Sequence, residues 1–183
     1  MLVLIAVQPA EAAYPGKNGK IAYHRAFDSW AKNASLASPE KKLLDDAAHL
    51  TYSPDGSRVA FVRRSLGPEI FVGRADRSGT PTKLTSNAVV DSEPTWSPDG
   101  TQIVYQSGSD IWRMDADGSD KTALTSTELP TDDPSFDPTQ PSFSPAWSVP
   151  LTGAPDGKIA FVHQGWLWTM LPDGGGKDEI AYT

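Results

Sequence analysis

Short apolar runs recur along this chain, and each is followed at a nearly constant distance by a second apolar run. Eight residues separate Ile103 from Ile111 and Ile159 from Leu167, while an insertion around Gly67-Pro68 lengthens one interval. Short apolar runs bounded by turn residues are typical of β-strands. The first runs are residues 21–23, 59–62, 103–105 and 159–162, and the second runs are residues 28–30, 69–72, 110–114 and 166–170.

A turn sequence precedes the first run of most copies. Thr-Tyr-Ser-Pro-Asp-Gly at 51–56 recurs as Thr-Trp-Ser-Pro-Asp-Gly at 95–100, which is 44 residues later. We interpret residues 142–145 as a third, degraded copy whose Asp-Gly comes late, at 156–157. Proline presets the φ angle of the turn, Ser and Asp bond nearby amides, and Gly relieves the closing position. The motif therefore indicates a turn and not a catalytic group.

The repeat predicts an all-β fold, a β-propeller made of four-stranded antiparallel blades. Glycine-containing turns follow the second runs, and a short last strand at 83–85, 123–125 and 180–182 completes each copy. Four strands every ~40–45 residues are typical of a propeller blade. Both faces of residues 59–62 are apolar, so the sheet needs neighbours on both sides. We predict about four blades, which form either a small or an incomplete propeller, at approximately 14–46, 47–86, 91–126 and 140–183.

Residues 38–48 and the recurring aromatic residues each allow more than one interpretation. Residues 38–48 have a helix pattern with a Ser-Pro start, but the repeat register makes 42–44 the last strand of the first blade. We favour the strand because tertiary context overrides weak local propensity. Trp96, Trp112, Trp168 and Phe143 recur at repeat positions, and we predict that they pack between blades.

The amino-terminus resembles the end of a signal peptide. Residues 2–7 are apolar, and Ala10-Glu11-Ala12 matches a cleavage site. No basic residue precedes the run, which is short for a leader, so we infer a start further upstream; the alternative is a hydrophobic first strand. We predict that residues 1–13 are a signal-peptide remnant and that the protein is periplasmic or secreted. No run of ~20 apolar residues exists to hold the mature chain in a membrane.

Composition excludes several function classes. The net charge is −7 without a Lys/Arg-rich block, so nucleic acid is not a predicted partner. The absence of cysteine excludes disulfides, thiolate catalysis and Cys-ligated metals. There is no G-x-S-x-G, H-E-x-x-H or phosphate-binding glycine loop.

The remaining candidates for a metal site are weak. His24 and His163 both lie at the ends of second strands, where the repeat could bring them together, but a metal needs further ligands. The acids around Gly118 resemble a calcium loop, but Ser126 stands where the bidentate Glu is required. We predict no catalytic residues, no metal and no cofactor, and hence no enzyme.

The connections between blades carry the candidate binding site. They are acidic, and in a propeller they emerge at one end of the axis, where a rigid scaffold holds its binding loops. We predict an acidic mouth that binds a protein partner; solvated connectors without a function are the alternative. The predicted binding residues are Asp46, Asp91, Glu93, Asp132 and Asp133.

The repeat resembles a known family. Residues 94–100, then 103–105, 110–119 and Leu124-Thr125 are similar to the TolB-type, WD-repeat-like propeller repeat, and the likeness covers about 14–183. Residues 14–23 are similar to the mature amino-termini of exported bacterial members. The resemblance implies a propeller that acts through protein contacts, although the family usually has six blades. Two other functions stay open: the substrate-gating propeller of a prolyl-oligopeptidase-type peptidase, which a downstream hydrolase domain would select, and a small-molecule or sugar-binding propeller.

Overall fold

The computed structural model describes residues 20–25, 28–33, 39–65, 67–125, 137, 139–150 and 156–180. The predicted leader at 1–13, the predicted limits of the repeat region at 14 and 183, and Asp132 and Asp133 lie outside these ranges. Within them, no helix is long and apolar enough to span a membrane.

Within the described residues, fifteen strands form four antiparallel sheets in chain order, and each sheet is one blade. The first blade has three strands, and the other three blades have four. The predicted fold class is therefore confirmed, as an incomplete β-propeller. The strands are β1 Lys20–Arg25, β2 Asp28–Asn33 and β3 Lys41–Leu44; β4 Ala48–Tyr52, β5 Arg58–Arg63, β6 Glu69–Arg74 and β7 Thr82–Lys83; β8 Asp91–Trp96, β9 Gln102–Ser107, β10 Asp110–Asp115 and β11 Thr122–Ala123; β12 Ser142–Trp147, β13 Ile159–His163, β14 Trp166–Met170 and β15 Asp178–Glu179.

The segment with competing helix and strand patterns is a strand. β3 pairs antiparallel with β2, and the side chain of Leu43 is buried. The repeat register therefore predicted this segment correctly, because pairing with β2 stabilises the strand, whereas an isolated short helix is only marginally stable.

The Ser-Pro-Asp-Gly turns are held by a repeated set of hydrogen bonds. The Ser53 hydroxyl donates to Asp55 Oδ1 at 2.6 Å and accepts from the Arg58 amide at 2.9 Å. Ser97 makes the same contacts with Asp99 and Gln102. The Ser53 hydroxyl and Ser57 lower the pKa of the Asp55 carboxyl to about 2. These groups are fully used by the turn, as predicted.

The fourth blade uses a different register from the one its sequence suggests. β12 aligns with β8, so Trp147 takes the position of Trp96, and Pro145 that of Pro94. Ser148, not Ser144, is then the turn serine, because its hydroxyl accepts from the Lys158 amide at 2.9 Å. The interpretation of residues 142–145 as the degraded turn is wrong. An insertion separates Ser148 from its Asp156-Gly157. The Ser144-Pro145 pair, which resembles the turn sequence, belongs to strand β12.

Buried side chains from neighbouring blades form the core. The third blade places Trp96, Ile103, Tyr105 and Met114 against apolar side chains of the second blade. The fourth blade packs against the third in the same way. The first strands β4, β8 and β12 contact each other in turn, whereas the short fourth strands contact only the third strand of their own sheet. The first strands therefore lie nearest the common axis of the blades.

Three of the four predicted inter-blade aromatics are confirmed. Trp96 and Trp168 are buried, and Trp112 packs against the cluster between the second and third blades. The prediction for Phe143 is not confirmed within the described residues, where this side chain is 37% exposed. Phe143 takes the repeat position of Ala48 and Ser92. The prediction for it came from the interpretation of residues 142–145 as a turn.

Candidate functional site at the connector end

The antiparallel strand order brings two kinds of segment to one end of the blades. These are the connections into each first strand and the turns between second and third strands. Backbone hydrogen bonds tie them together, since the Asp91 amide donates to Pro68 O and the Ser142 amide to Ser109 O. We call this the connector end. It comprises residues 45–49, 64–65, 67–68, 85–93, 108–109, 139–144 and 164–165.

The first strand of each four-stranded blade has a bulge at the same repeat position. His49, Glu93 and Ser144 have φ angles of 50°, 52° and 54°, and each lies where the pairing with the second strand shifts register. Such bulges redirect a side chain, and a left-handed conformation in a residue other than glycine carries strain. The strain recurs at the same repeat position of three blades, on the strands nearest the axis, so the bulge is a regular feature of these blades.

Glu93 has an unused hydrogen-bonding oxygen. Its Oε1 lies 4.0 Å from Nδ1 of His49 in the preceding blade. Its Oε2 is buried and has no hydrogen-bond partner in the described part of the chain. A buried carboxylate oxygen is costly without a donor, so this oxygen is available to an incoming N–H or O–H group.

Asp91 lies two residues before Glu93 and is completely buried, at 0% exposure. Its Oδ2 accepts a hydrogen bond from the Asn87 side-chain amide at 2.9 Å. Its Oδ1 is buried without a hydrogen-bond partner among the residues described. Burial, together with the negative charge of Asp91, raises the pKa of Tyr105. Asp91 therefore places a negative charge inside the third blade, two residues before the bulge at Glu93.

Asp46 is used to hold the connector. Its Oδ2 accepts hydrogen bonds from the amide and the hydroxyl of Ser65 in the adjoining turn. The hydroxyl of Ser65 is the main cause of the lowered pKa of Asp46. Of the predicted site residues, Asp46, Asp91 and Glu93 all lie at the connector end, but among these three only Asp91 and Glu93 have a buried oxygen without a hydrogen-bond partner in the described residues.

Sequence analysis missed the Leu-Thr pair that closes the connector end. The Thr85 hydroxyl donates to Glu69 Oε2 at 2.7 Å and accepts from the Ile70 amide at 3.0 Å. Thr125 repeats this arrangement with Asp110 and Ile111. The signal was the recurrence of Leu-Thr in the second and third blades, together with an acid at the start of the third strand in each of these two blades. These acids are therefore structural, unlike Asp91 and Glu93.

His163 has a structural environment. It is buried, its Nδ1 lies 2.9 Å from the hydroxyl of Ser142, and burial lowers its pKa. The register places Arg25, not His24, at the equivalent position of the first blade, so the expected equivalence of the two histidines is wrong. Among the described residues, no group of three or more His, Asp or Glu side chains could hold a metal ion.

Comparison with known proteins relates this architecture to a bacterial protein. A segment of 46 residues is 50% identical to the Tol-Pal system protein TolB of Anaeromyxobacter dehalogenans and covers 25% of this chain and 10% of that protein. The crystal structure of TolB from Acinetobacter baumannii superimposes with a TM-score of 0.67 over 93% of this chain, at 18% identity. This chain has the TolB-like β-propeller fold.

The TolB likeness describes the blades and not a whole TolB. A second structure, the putative TolB from Agrobacterium tumefaciens, matches 84% of this chain with a TM-score of 0.58 and 20% identity. This chain spans 60% of that protein and 43% of the Acinetobacter TolB. No family model matches the sequence. The structures establish the TolB-like fold, and function has to be argued from the connector end.

Proposed function

We propose that this chain is a non-catalytic, exported scaffold that binds a protein partner at its connector end. The observation that carries the proposal is the pair of buried carboxylate oxygens, Asp91 Oδ1 and Glu93 Oε2, which have no donor within the described residues. A native structure rarely leaves such groups unsatisfied, so each calls for a water, an ion or a ligand donor.

The geometry favours a ligand that brings positive charge or N–H donors. The three bulge residues are polar, and Glu93 adds a negative charge next to the buried charge of Asp91. A lysine or arginine side chain on an extended segment would supply a donor to Glu93 Oε2, and the charge of the buried Asp91 would attract it. Asp132 and Asp133 would add negative charge on the long connection into the fourth blade, which would speed the approach of a basic segment.

The rival binding functions need features of a different kind. Sugar-binding sites use aromatic faces as platforms, and the bulge residues His49, Glu93 and Ser144 include no benzene or indole ring. A gating propeller acts on behalf of a hydrolase domain, so a G-x-S-x-G segment encoded downstream of Thr183 would select that function instead. Export is supported by the leader-like residues 1–13, which we propose are removed, and by the TolB-like repeat, since the related TolB belongs to the Tol-Pal system.

The test is site-specific photocrosslinking in the bacterium that encodes the chain. A photoreactive amino acid replaces Ser144 at the connector end, and in a control it replaces Asp117, which lies in an exposed turn at the opposite end. We expect the Ser144 probe to capture one envelope protein in the periplasmic fraction. The Asp117 probe should not capture it.

The decisive arm removes one negative charge while keeping the shape of the site. Glu93→Gln is expected to reduce the adduct at least about tenfold, since a lost charged hydrogen bond weakens binding by ~1.5–3 kcal/mol. The matched control, Asp117→Asn, should leave the adduct unchanged. Capture that is equal from both ends, capture that does not depend on Glu93, or absence of any protein adduct would reject the proposed function.

A further inference from the structure

The connection from the second blade into the third presents two apolar side chains to solvent at the connector end. Residues 86–90 are all exposed, and Val89 and Val90 are 49% and 53% exposed. We call residues 86–90 the valine loop. The blades on both sides of this loop are described, with four strands each. The exposed valines therefore do not mark the position of a neighbouring blade that the description lacks.

The repeat shows that the blade fold does not require valine here. By the strand register, Val89-Val90 is equivalent to Asp45-Asp46 in the preceding connection and to Gln140-Pro141 in the following one. The same two positions thus accept charged and polar residues in the neighbouring connections. The apolar character of the valine loop is therefore a property of this connection and not of the repeat.

Hydrogen bonds fix the backbone of the valine loop. The Asn87 side chain accepts from the Val89 amide at 2.9 Å and donates to Oδ2 of the buried Asp91 at 2.9 Å. At the end of the loop, the Gly108 amide donates to Val90 O at 2.9 Å. A preformed loop loses little conformational freedom on binding, so the burial of its valines would contribute to affinity with little ordering cost.

The two valines lie close to the carboxylate oxygen that the proposed site leaves unused. Val90 is three residues before Glu93, which is about 10 Å in an extended strand. Asp91, between them, is buried inside the blade. Glu93 Oε2 has no hydrogen-bond partner among the described residues. An apolar contact and a charged acceptor are thus offered at a spacing that an extended peptide reproduces with residues three apart.

We propose that the valine loop and Glu93 together recognise an extended segment of a protein partner in which an apolar residue stands about three residues from a lysine or arginine. The apolar side chain would pack on Val89 and Val90, and the basic group would donate to Glu93 Oε2. This inference rests on the proposed function, because it names the sequence pattern that the connector end would select.

Loop variants of the chain that carries the photoreactive amino acid at position 144 test the apolar half. Val89→Ser/Val90→Ser is expected to reduce the adduct at least about tenfold, because two aliphatic contacts are lost. Ser86→Ala is the matched control, since it changes an exposed residue of the same loop, and it should leave the adduct unchanged. Both valines are exposed, so the double variant should unfold at the native temperature. If it does not, Val90→Thr, which keeps the branched shape, takes its place.

A second probe identifies the partner segment that lies over the loop. A photoreactive amino acid at Ala88, which is exposed beside the valines, is crosslinked in the same bacterium, and mass spectrometry locates the attachment point on the partner. We expect attachment within about four residues of a lysine or arginine, given the spacing of the site. Attachment to a segment without a basic residue at that distance would overturn the inference.

The outcomes distinguish this inference from the proposed function. An adduct that falls with Glu93→Gln but is insensitive to Val89→Ser/Val90→Ser would overturn the role of the valine loop and leave the connector-end site standing. An adduct that ignores Glu93→Gln, or no adduct at all, would reject the proposed function and this inference with it.

Discussion

Replacing Trp96 with alanine is expected to lower the free energy of unfolding by about 3–5 kcal/mol, in the range of buried Trp truncations. Trp96 is 1% exposed in the cluster between the second and third blades. Its ring also faces the guanidinium of Arg58 at 4.6 Å, and Arg58 donates to Gly100 O at 2.8 Å. The substitution therefore removes packing and a cation–π contact at the same interface. Urea unfolding followed by circular dichroism measures the loss.

A second tryptophan is the control for this measurement. Trp166 is 56% exposed, so Trp166→Ala is expected to change stability by no more than ~0.5 kcal/mol. Trp96→Phe should fall between the two because it keeps a ring in the cluster. Equal effects of Trp96→Ala and Trp166→Ala would show that the blades do not pack against each other as described.

Replacing Gly157 with alanine is expected to destabilise the protein by about 2–5 kcal/mol. Gly157 has a φ angle of 79°, which costs other residues ~1–2 kcal/mol. A Cβ atom there would also overlap the carbonyl oxygen of Ser148, where the first and second strands of the fourth blade are joined. Overpacking of this kind costs a further ~1–3 kcal/mol.

Gly165→Ala separates the two causes. Gly165 has a nearly identical φ of 81°, but a Cβ atom at this residue would have no neighbour within 4 Å, so only the backbone cost of ~1–2 kcal/mol is expected. Thermal unfolding of the two variants under the same conditions makes the comparison. If Gly157→Ala is no worse than Gly165→Ala, the late Asp-Gly does not form the turn assigned to it.

The periodic features of this fold could be predicted from sequence because they are local. The residues of Ser-Pro-Asp-Gly form the turn by themselves, and the two apolar runs that follow are separated by a nearly constant number of residues. That register even assigned 42–44 to a strand against its helix pattern. The assignment failed at residues 142–148, where Ser144-Pro145 imitates the turn. Only the pairing of β12 with β13 shows that Pro145 is equivalent to Pro94.

The candidate site could be predicted only in part. The position of the connections at one end follows from strand order, so Asp46, Asp91 and Glu93 were found from their charge. Their different environments were not predictable, because the burial of Asp91 and the hydrogen bonds of Asp46 depend on contacts with other turns. The bulge at His49, Glu93 and Ser144 has no common residue type, so no sequence signal marked it.

Proximity of His49 and Glu93 tests the central claim that neighbouring blades stack with their first strands side by side. The chain has no cysteine, so His49→Cys/Glu93→Cys creates the sole thiol pair for a short bis-maleimide reagent. The control pair, His49→Cys/Asp99→Cys, places the second thiol in the Ser-Pro-Asp-Gly turn beyond the end of β8, at the opposite end of the blade. We expect the 49/93 pair to crosslink within one chain at high yield and the 49/99 pair not to. Failure of the 49/93 pair in folded protein, or equal yields for both pairs, would contradict the stacked-blade architecture.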